Sequence, residues 1–404
     1  MVNVGVDLHK TQFTICVRSK NGDKFKTYPT DEHGYKLFLD DVAVLQKKGE
    51  QIHVAVESTG NARYFKNQLE AAGIQVTVIN TLKMKVINES VKKTDKHDAA
   101  TIAEFLEKDM LPESNLCSQK SEELRRLLKI RTTLVRSVVV IKNQIHALLM
   151  AEGFKDVKGS LQSKKGRKLV LDTLNQCKKG LVVQPLFETI DRQEESVNSI
   201  EQQLRMLTTG DKVVELLMTI PGCGEVCAWT IRAYIDDIKR FSSSKKLVSY
   251  AGLAPWVQNS NETIRHGKIT KRGPEQLRTA IVQVVMGLRR MKEKTLSLRI
   301  MQRYEIMKAS KGSGKTIIAT ARKIAVIIWH MLSEEVEFDF DKMTDKKLAK
   351  KSESMRNLAK AKNGEIIDKE DVKDKPSLTK KKPTLTRKSI KKTGVASKKI
   401  KKAG

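Results

Sequence analysis

Aromatic side chains are scarce, 5% of 404 residues, while charged residues make up 31%; that balance predicts a soluble, helix-rich chain. The 5 cysteines are an odd number and include no CxxC pair. They exclude a disulfide framework and a cysteine zinc site, and fit a reducing compartment. No stretch approaches the roughly 18 uninterrupted apolar residues of a membrane span, and MVNVGVDLHK lacks the basic and apolar regions of a signal peptide. The expectation is therefore a cytoplasmic protein with no membrane partner. Its length, with 39% hydrophobic residues, allows two or three domains with at least one sizeable core.

What the chain has in excess is positive charge. Lys and Arg outnumber Asp and Glu by 77 to 47, a net +30. From Asp341 onward there are 22 basic and 8 acidic residues, so the preceding 340 residues keep +16. A basic body carrying a basic tail favours a polyanionic partner, and nucleic acid is the commonest.

Hydrophobic alternation predicts strands over 2–6, 12–18 and 25–28, a helix over 32–47, a strand over 52–57, a helix over 61–72, a strand over 75–79 and a helix carrying AATIAEFLEK. That order is the order of a ribonuclease-H-like fold, here assigned to residues 1–110. Over 118–210 the chain reads as a helical linker. Leu124, Leu127, Arg131, Leu134, Val138, Ile141, Ile145 and Leu148 keep a 3-4 spacing, and Leu186, Ile190, Gln193, Val197, Ile200, Leu204 and Leu207 repeat it after a break at Lys164-Lys165-Gly166. This is coiled-coil spacing, within one chain or across a dimer. Arg131 and Gln193 set register in it or lie at a frayed end, with a nucleic-acid contact open to Arg131. A mainly helical region follows over 211–340, then a basic, disordered tail over 341–404.

Within the third region Ile220-Pro221-Gly222-Cys223-Gly224 resembles a helix-hairpin-helix turn. Gly222 and Gly224 would let a phosphate approach the backbone there; a tight helical corner needs similar glycines. Lys311-Gly312-Ser313-Gly314-Lys315-Thr316 imitates a phosphate-binding P-loop but has Ala309 where the first glycine belongs and no strand before it. It reads as a basic loop against a nucleic-acid backbone.

Four carboxylates stand out by position. Asp7 ends the first strand, Glu57 ends the fourth, and Asp95 and Asp98 lie three apart at a helix start, hence on one face. In a ribonuclease-H-like sheet the first and fourth strands are neighbours. Such a crowd repels itself unless hard cations sit within it, and two Mg²⁺ ions suit phosphoryl transfer. Singly, each is equally a turn residue or a helix cap. His9 and Lys10 stand beside Asp7 to orient phosphate or support the site; His97 reads as solvent-facing.

The ordered motifs VGVDLHK, VAVESTG, KTDKHDAATIAEFL, IPGCG, RFSSSKKLVSYAGLAP, GKITKRGPEQLR and ARKIAVIIWHML cover most of residues 2–333. They resemble the DEDD-type insertion-sequence transposases, the IS110 and IS116 group, which includes the Piv-type DNA invertases. The resemblance implies a RuvC-like domain, a coiled-coil linker and a C-terminal transposase domain with a nucleophilic serine, cutting and rejoining DNA through a phosphoserine. It carries the Mg²⁺-binding catalytic tetrad to Asp7, Glu57, Asp95 and Asp98 and the serine to Ser260. It also implies a structured bridge RNA as guide, and dimers pairing into tetramers. Arg265, His266, Lys268, Lys271 and Arg272 would steady phosphate charge. Ser242, Ser243 and Ser244 instead cap a helix. Two glycines usual after the serine are Asn261 and Glu262 here. Two other functions fit the same residues: a junction-resolvase-like metal nuclease using water, and a decayed protein that only binds nucleic acid.

Overall fold

The computed structural model describes residues 1–19, 22–47, 49–81, 83–84, 94–154, 161–260 and 263–344, without the side chains of 258–266 and 292–293. The tail from 345 onward and the Asn261-Glu262 pair lie outside the described residues.

The chain begins with three consecutive antiparallel strands, β1 (Val2–Leu8), β2 (Gln12–Ser19) and β3 (Gly22–Pro29). Helix α1 (Glu32–Gln46), β4 (Ile52–Glu57), α2 (Ala62–Ala71), β5 (Gln75–Ile79) and α3 (Asp95–Glu107) follow. The sheet order is β3-β2-β1-β4-β5, with β4 parallel to both β1 and β5. Period-2 alternation splits β1 between two layers. Val2, Val4, Val6 and Leu8 join Phe13, Phe38 and Phe65 in a core beneath α1 and α2. Gly5 and Asp7 face the opposite side, where α3 packs on β1 and β2. A Cβ at Gly5 would collide with the Ala99 carbonyl and the Ala103 amide, so the backbone of α3 rests directly on the strand.

Helix α4 (Gln119–Ala151) runs antiparallel to α6 (Gly180–Thr208). Arg131 meets Glu201 at 2.8 Å and Lys142 meets Glu194 at 2.9 Å, one number rising as the other falls. The two heptad segments thus pair within the chain, with Arg131 in an ion pair between them; among the described residues Gln193 Oε1 is buried without a partner. One expectation is corrected: Lys164-Lys165-Gly166 opens a helix, α5 (Lys164–Gln176), where the sequence reads as a break. The Ser163 hydroxyl caps it by accepting from Gly166 N, and its Val170 and Leu174 complete the core of Val138, Ile141, Ile145 and Ile190.

The first turn of α4 is tied into the third region. Helices α7 (Lys212–Met218) and α8 (Glu225–Ile235) flank it. Buried Ser121 donates to Asp236 at 2.6 Å, and Asp211 receives Lys120 at 2.9 Å and Arg232 at 3.0 Å. Burial alone would raise the Asp211 carboxyl, but these two cations hold it below its usual range. Beyond lie α9 (Ser244–Tyr250), β6 (Pro255–Ser260), β7 (Thr263–Ile269), α10 (Glu275–Arg290), α11 (Lys292–Thr295), α12 (Arg299–Lys311) and α13 (Ser313–Glu334). Trp229, Ile281, Val284, Tyr304, Ile324 and Ile328 fill their common core. The region is mainly helical, as expected, and the β6–β7 hairpin is an addition the sequence did not signal. Ser243 stands at the start of α9, as expected, though its side chain makes no capping bond. A single residue, Gly312 with φ 77°, joins α12 to α13, so the P-loop look-alike is a helix junction and not a loop.

Helices α4 and α13 are long and apolar enough to cross a membrane by length and composition. Both instead pack apolar faces into protein cores, α13 through Ala321, Ile324, Ala325 and Ile328.

The Gly5 contact is directly testable. Gly5→Ala places a methyl group into helix backbone, an overpacking cost of about 1–3 kcal/mol. We expect thermal unfolding to show that loss; unchanged stability would contradict the close packing.

Candidate active site

Asp7 is the penultimate residue of β1, only 7% exposed, on the face covered by α3. Parallel register pairs Val6 with Val56, so the next residues, Asp7 and Glu57, stand side by side at the carboxyl ends of neighbouring strands. Ala55, two residues before Glu57, packs against Ile102 of α3, which puts Glu57 on the Asp7 face. From above, Thr94 caps α3 by accepting from His97 N at 3.2 Å, placing Asp95 and Asp98 in the first turn. There they also complement the helix dipole.

His9 links the two layers. Its Nε2 lies 3.1 Å from Asp7 Oδ2 and 3.6 Å from Asp95 Oδ1. Its own carbonyl is fixed by donors from Asn61 at 3.1 Å and Thr30 at 3.2 Å. One ligand atom each from Asp7, His9 and Asp95 falls within 4.8 Å of the others. Burial pushes the Asp7 carboxyl up, His9 opposes that, and the charges of Asp95 and Asp98 push it further up. A partly buried carboxylate beside two others is the donor set a hard divalent cation relieves. The structure therefore joins Asp7, Asp95 and Asp98 electrostatically, brings Glu57 alongside by register, and adds His9. The sequence offered His9 only as a supporting residue, because a histidine after a strand end carries no ligand signature until a second carboxylate faces it.

The remaining expected residues lie elsewhere. Ser260 ends β6, its backbone paired with Thr263 of β7, so it is a strand residue beside the hairpin tip and not a loop residue. The side chains of Ser260, Arg265 and His266 lie outside the description. Among the described residues the hairpin makes no extended packing with the five-stranded sheet. Lys268, Lys271 and Arg272 are exposed. The loop of Lys271 and Arg272 is pinned by Gly252 and Gly273, whose added Cβ atoms would strike Arg272 O and Tyr250 O, and by Arg278, which donates to Lys271 O at 3.3 Å. Gly222, with φ 82°, lies against Gly287 of α10, and that helix-to-turn contact is why a side chain is not tolerated there. Gly224 is exposed at the start of α8.

Two transposase family profiles match the chain. One, DEDD_Tnp_IS110, described as Transposase, covers residues 4–152; the other, described as Transposase IS116/IS110/IS902 family, covers 214–299. The chain is 27% identical over 338 residues to the transposase for insertion sequence element IS1111A of Coxiella burnetii, spanning 82% of this chain and 90% of that one. The transposase for insertion sequence element IS1328 of Yersinia enterocolitica is 24% identical, over 83% and 98% of the two chains. The pilin gene-inverting protein of Moraxella bovis is 23% identical, over 83% and 97%. The two profiles together take in more than half of the sequence, with the carboxylate cluster inside the first and the serine hairpin inside the second, and the chain belongs to the IS110/IS116/IS902 family of DNA transposases.

Proposed function

We propose that this transposase cuts and rejoins DNA strands at the carboxyl ends of β1 and β4, with Asp7, Glu57, Asp95 and Asp98 as the acidic tetrad and Ser260 as the nucleophile. The observation that carries the reading is the meeting of Asp7, His9 and Asp95 under the first turn of α3. The sheet order supports a ribonuclease-H-like, RuvC-like domain over 1–110. The α4–α6 pair supports a coiled-coil linker over 118–210. We assign 211–340 to the transposase domain and 341–404 to a basic tail.

The tetrad would hold Mg²⁺, which when bound supplies charge neutralisation and Lewis acidity at a phosphate. Ser260 Oγ forms a bond to phosphorus as the bond to one strand oxygen breaks; that oxygen leaves with a proton and the DNA end stays as a phosphoserine diester. Attack by a hydroxyl of another strand reverses the exchange, frees Ser260 and joins the DNA without outside energy. His9 holds Asp7 and Asp95 in one orientation. Arg265, Lys268, Lys271 and Arg272 hold phosphate charge near the hairpin. A bridge RNA would supply target choice, and a homodimer pairing into a tetramer would bring DNA ends together, in the cytoplasm at the nucleoid.

One observation favours a second reading. The hairpin bearing Ser260 makes no extended packing with the sheet among the described residues, as a metal nuclease using water would allow. Protein expressed with its native flanking DNA separates the two. We expect an SDS-resistant protein–DNA adduct mapping to Ser260 and absent from Ser260→Ala and Asp7→Asn. Cleavage without adduct, undiminished in Ser260→Ala and lost in Asp7→Asn, would establish the nuclease.

The acidic cluster also predicts a stability signature. Burial and two like charges disfavour the ionised Asp7, so neutralising it relieves the fold at neutral pH. In EDTA, Asp7→Asn should raise the unfolding midpoint of this domain by roughly 4–8 °C, the shift about 1 kcal/mol gives in a domain of about 100 residues. Added Mg²⁺ should raise the wild-type midpoint and leave the variant unmoved. A variant that is less stable in EDTA, or equally stabilised by Mg²⁺, would remove the metal reading.

A further inference from the structure

Far along the chain from the acidic cluster, a groove of about 1660 Å³ opens between the β6–β7 hairpin and helices α12 and α13. Among the described residues, eight of its lining side chains are Lys or Arg and none is Asp or Glu. Lys268 and Lys271 come from the hairpin side, Arg303 from α12, and Lys315, Arg322 and Lys323 from α13; all six are exposed. Among the described residues no ion pair engages these six, whereas cations such as Arg131, Arg205 and Arg232 each meet a carboxylate. The spacing of Lys315, Ile318, Arg322 and Val326 places them on one face of α13. Lys271 is fixed in a left-handed backbone conformation, φ 53°, by the pinned loop. Between the cations the floor is apolar, formed by Ile306, Met307, Ile318 and Val326.

We propose that this groove is a binding track for a single-stranded nucleic acid, with phosphates on the basic rim and unpaired bases laid on the Ile306–Met307–Ile318–Val326 floor. Mutual repulsion of the uncompensated cations is relieved by a polyanion. A duplex turns its phosphates outward and keeps its base faces stacked inside, so it gains nothing from an apolar floor. An unpaired strand offers phosphates and base faces together. The inference rests on the chain acting on nucleic acid, but not on the cleavage chemistry or on Ser260. It assigns Arg303, Lys315, Arg322 and Lys323 a role, and places the groove in use even when the acidic cluster is disabled.

The test uses full-length protein in EDTA, with fluorescence anisotropy of labelled 20-nucleotide oligo-dT and oligo-U and of a 20-base-pair duplex, across a salt series. The basic tail is common to every variant and cancels in the comparison. For Arg322→Ala/Lys323→Ala, both on the exposed face of α13, we expect roughly tenfold weaker single-strand binding, a salt slope shallower by about 1.4 for two lost phosphate contacts, and unchanged duplex binding. Met307→Gln should weaken single-strand binding with no change in slope. Asp7→Asn should bind as wild type, so a failed cleavage reading leaves this result standing. Stronger binding of oligo-dT or of oligo-U identifies the strand as DNA or RNA, and either supports the track. Single-strand affinity and slope unchanged in the double variant, an equal loss on duplex, or displacement by poly-glutamate as effective as by oligonucleotide would each overturn it, provided the variants melt at the wild-type temperature.

Discussion

The bare contact between Gly5 and the backbone of α3 is the constraint on which the acidic cluster depends. Ala99 and Ala103 are fully buried against a strand residue that has no side chain. The helix therefore lies as low on the sheet as backbone atoms allow, and its first turn arrives above the end of β1. That height brings Asp95 to the same imidazole nitrogen as Asp7. A side chain at Gly5 would collide with the backbone of α3 and force the helix off the strand. The clustering is itself unfavourable: burial and neighbouring carboxylates both oppose ionisation of Asp7. Burial and like charges thus make ionisation of Asp7 unfavourable at the place where we propose the chemistry occurs.

Charge is divided along the chain in a way that suits a nucleic-acid enzyme. Carboxylates concentrate at one end of the sheet, and basic side chains concentrate in a groove of the C-terminal region. The two regions are mechanically connected through α4. Arg63 of α2 pairs with Glu122 in its first turn, and Ser121 in the same turn is bonded to Asp236 beyond α8. A polyanion on the basic surface and cations at the acidic one each relieve a repulsion that the isolated chain must carry.

Much of this was legible beforehand. The expected strands and helices of the first 110 residues fall within a few positions of those observed, because alternation on a two-layered sheet is a strong signal. Asp7 and Glu57 could be brought together from the expected strand order, which makes their two strands neighbours. The heptad spacing of α4 and α6 predicted a pair, though only their antiparallel ion pairs showed that it forms within the chain. Helix α5 was missed because its opening Lys-Lys-Gly resembles a linker, and only Ser163 capping and the neighbouring apolar core make it a helix. The β6–β7 hairpin was missed because Gln258-Asn259-Ser260 and Arg265-His266 carry no apolar alternation. Gly222 suited either a phosphate-binding turn or a tight helical corner, and its close contact with Gly287, sixty-five positions away, is what the sequence could not name.

By itself the sequence determined the order of elements in the first 110 residues, the family and the basic balance, and it singled out the acidic residues, since these follow from local periodicity and from ordered motifs. Only the tertiary structure decided that His9 stands between Asp7 and Asp95, that Gly5 and Gly222 serve packing, and that cations from the hairpin side, α12 and α13 line one groove. Each of those facts depends on atoms brought together from distant positions, and a one-dimensional pattern records the spacing within an element but not the height at which two elements meet.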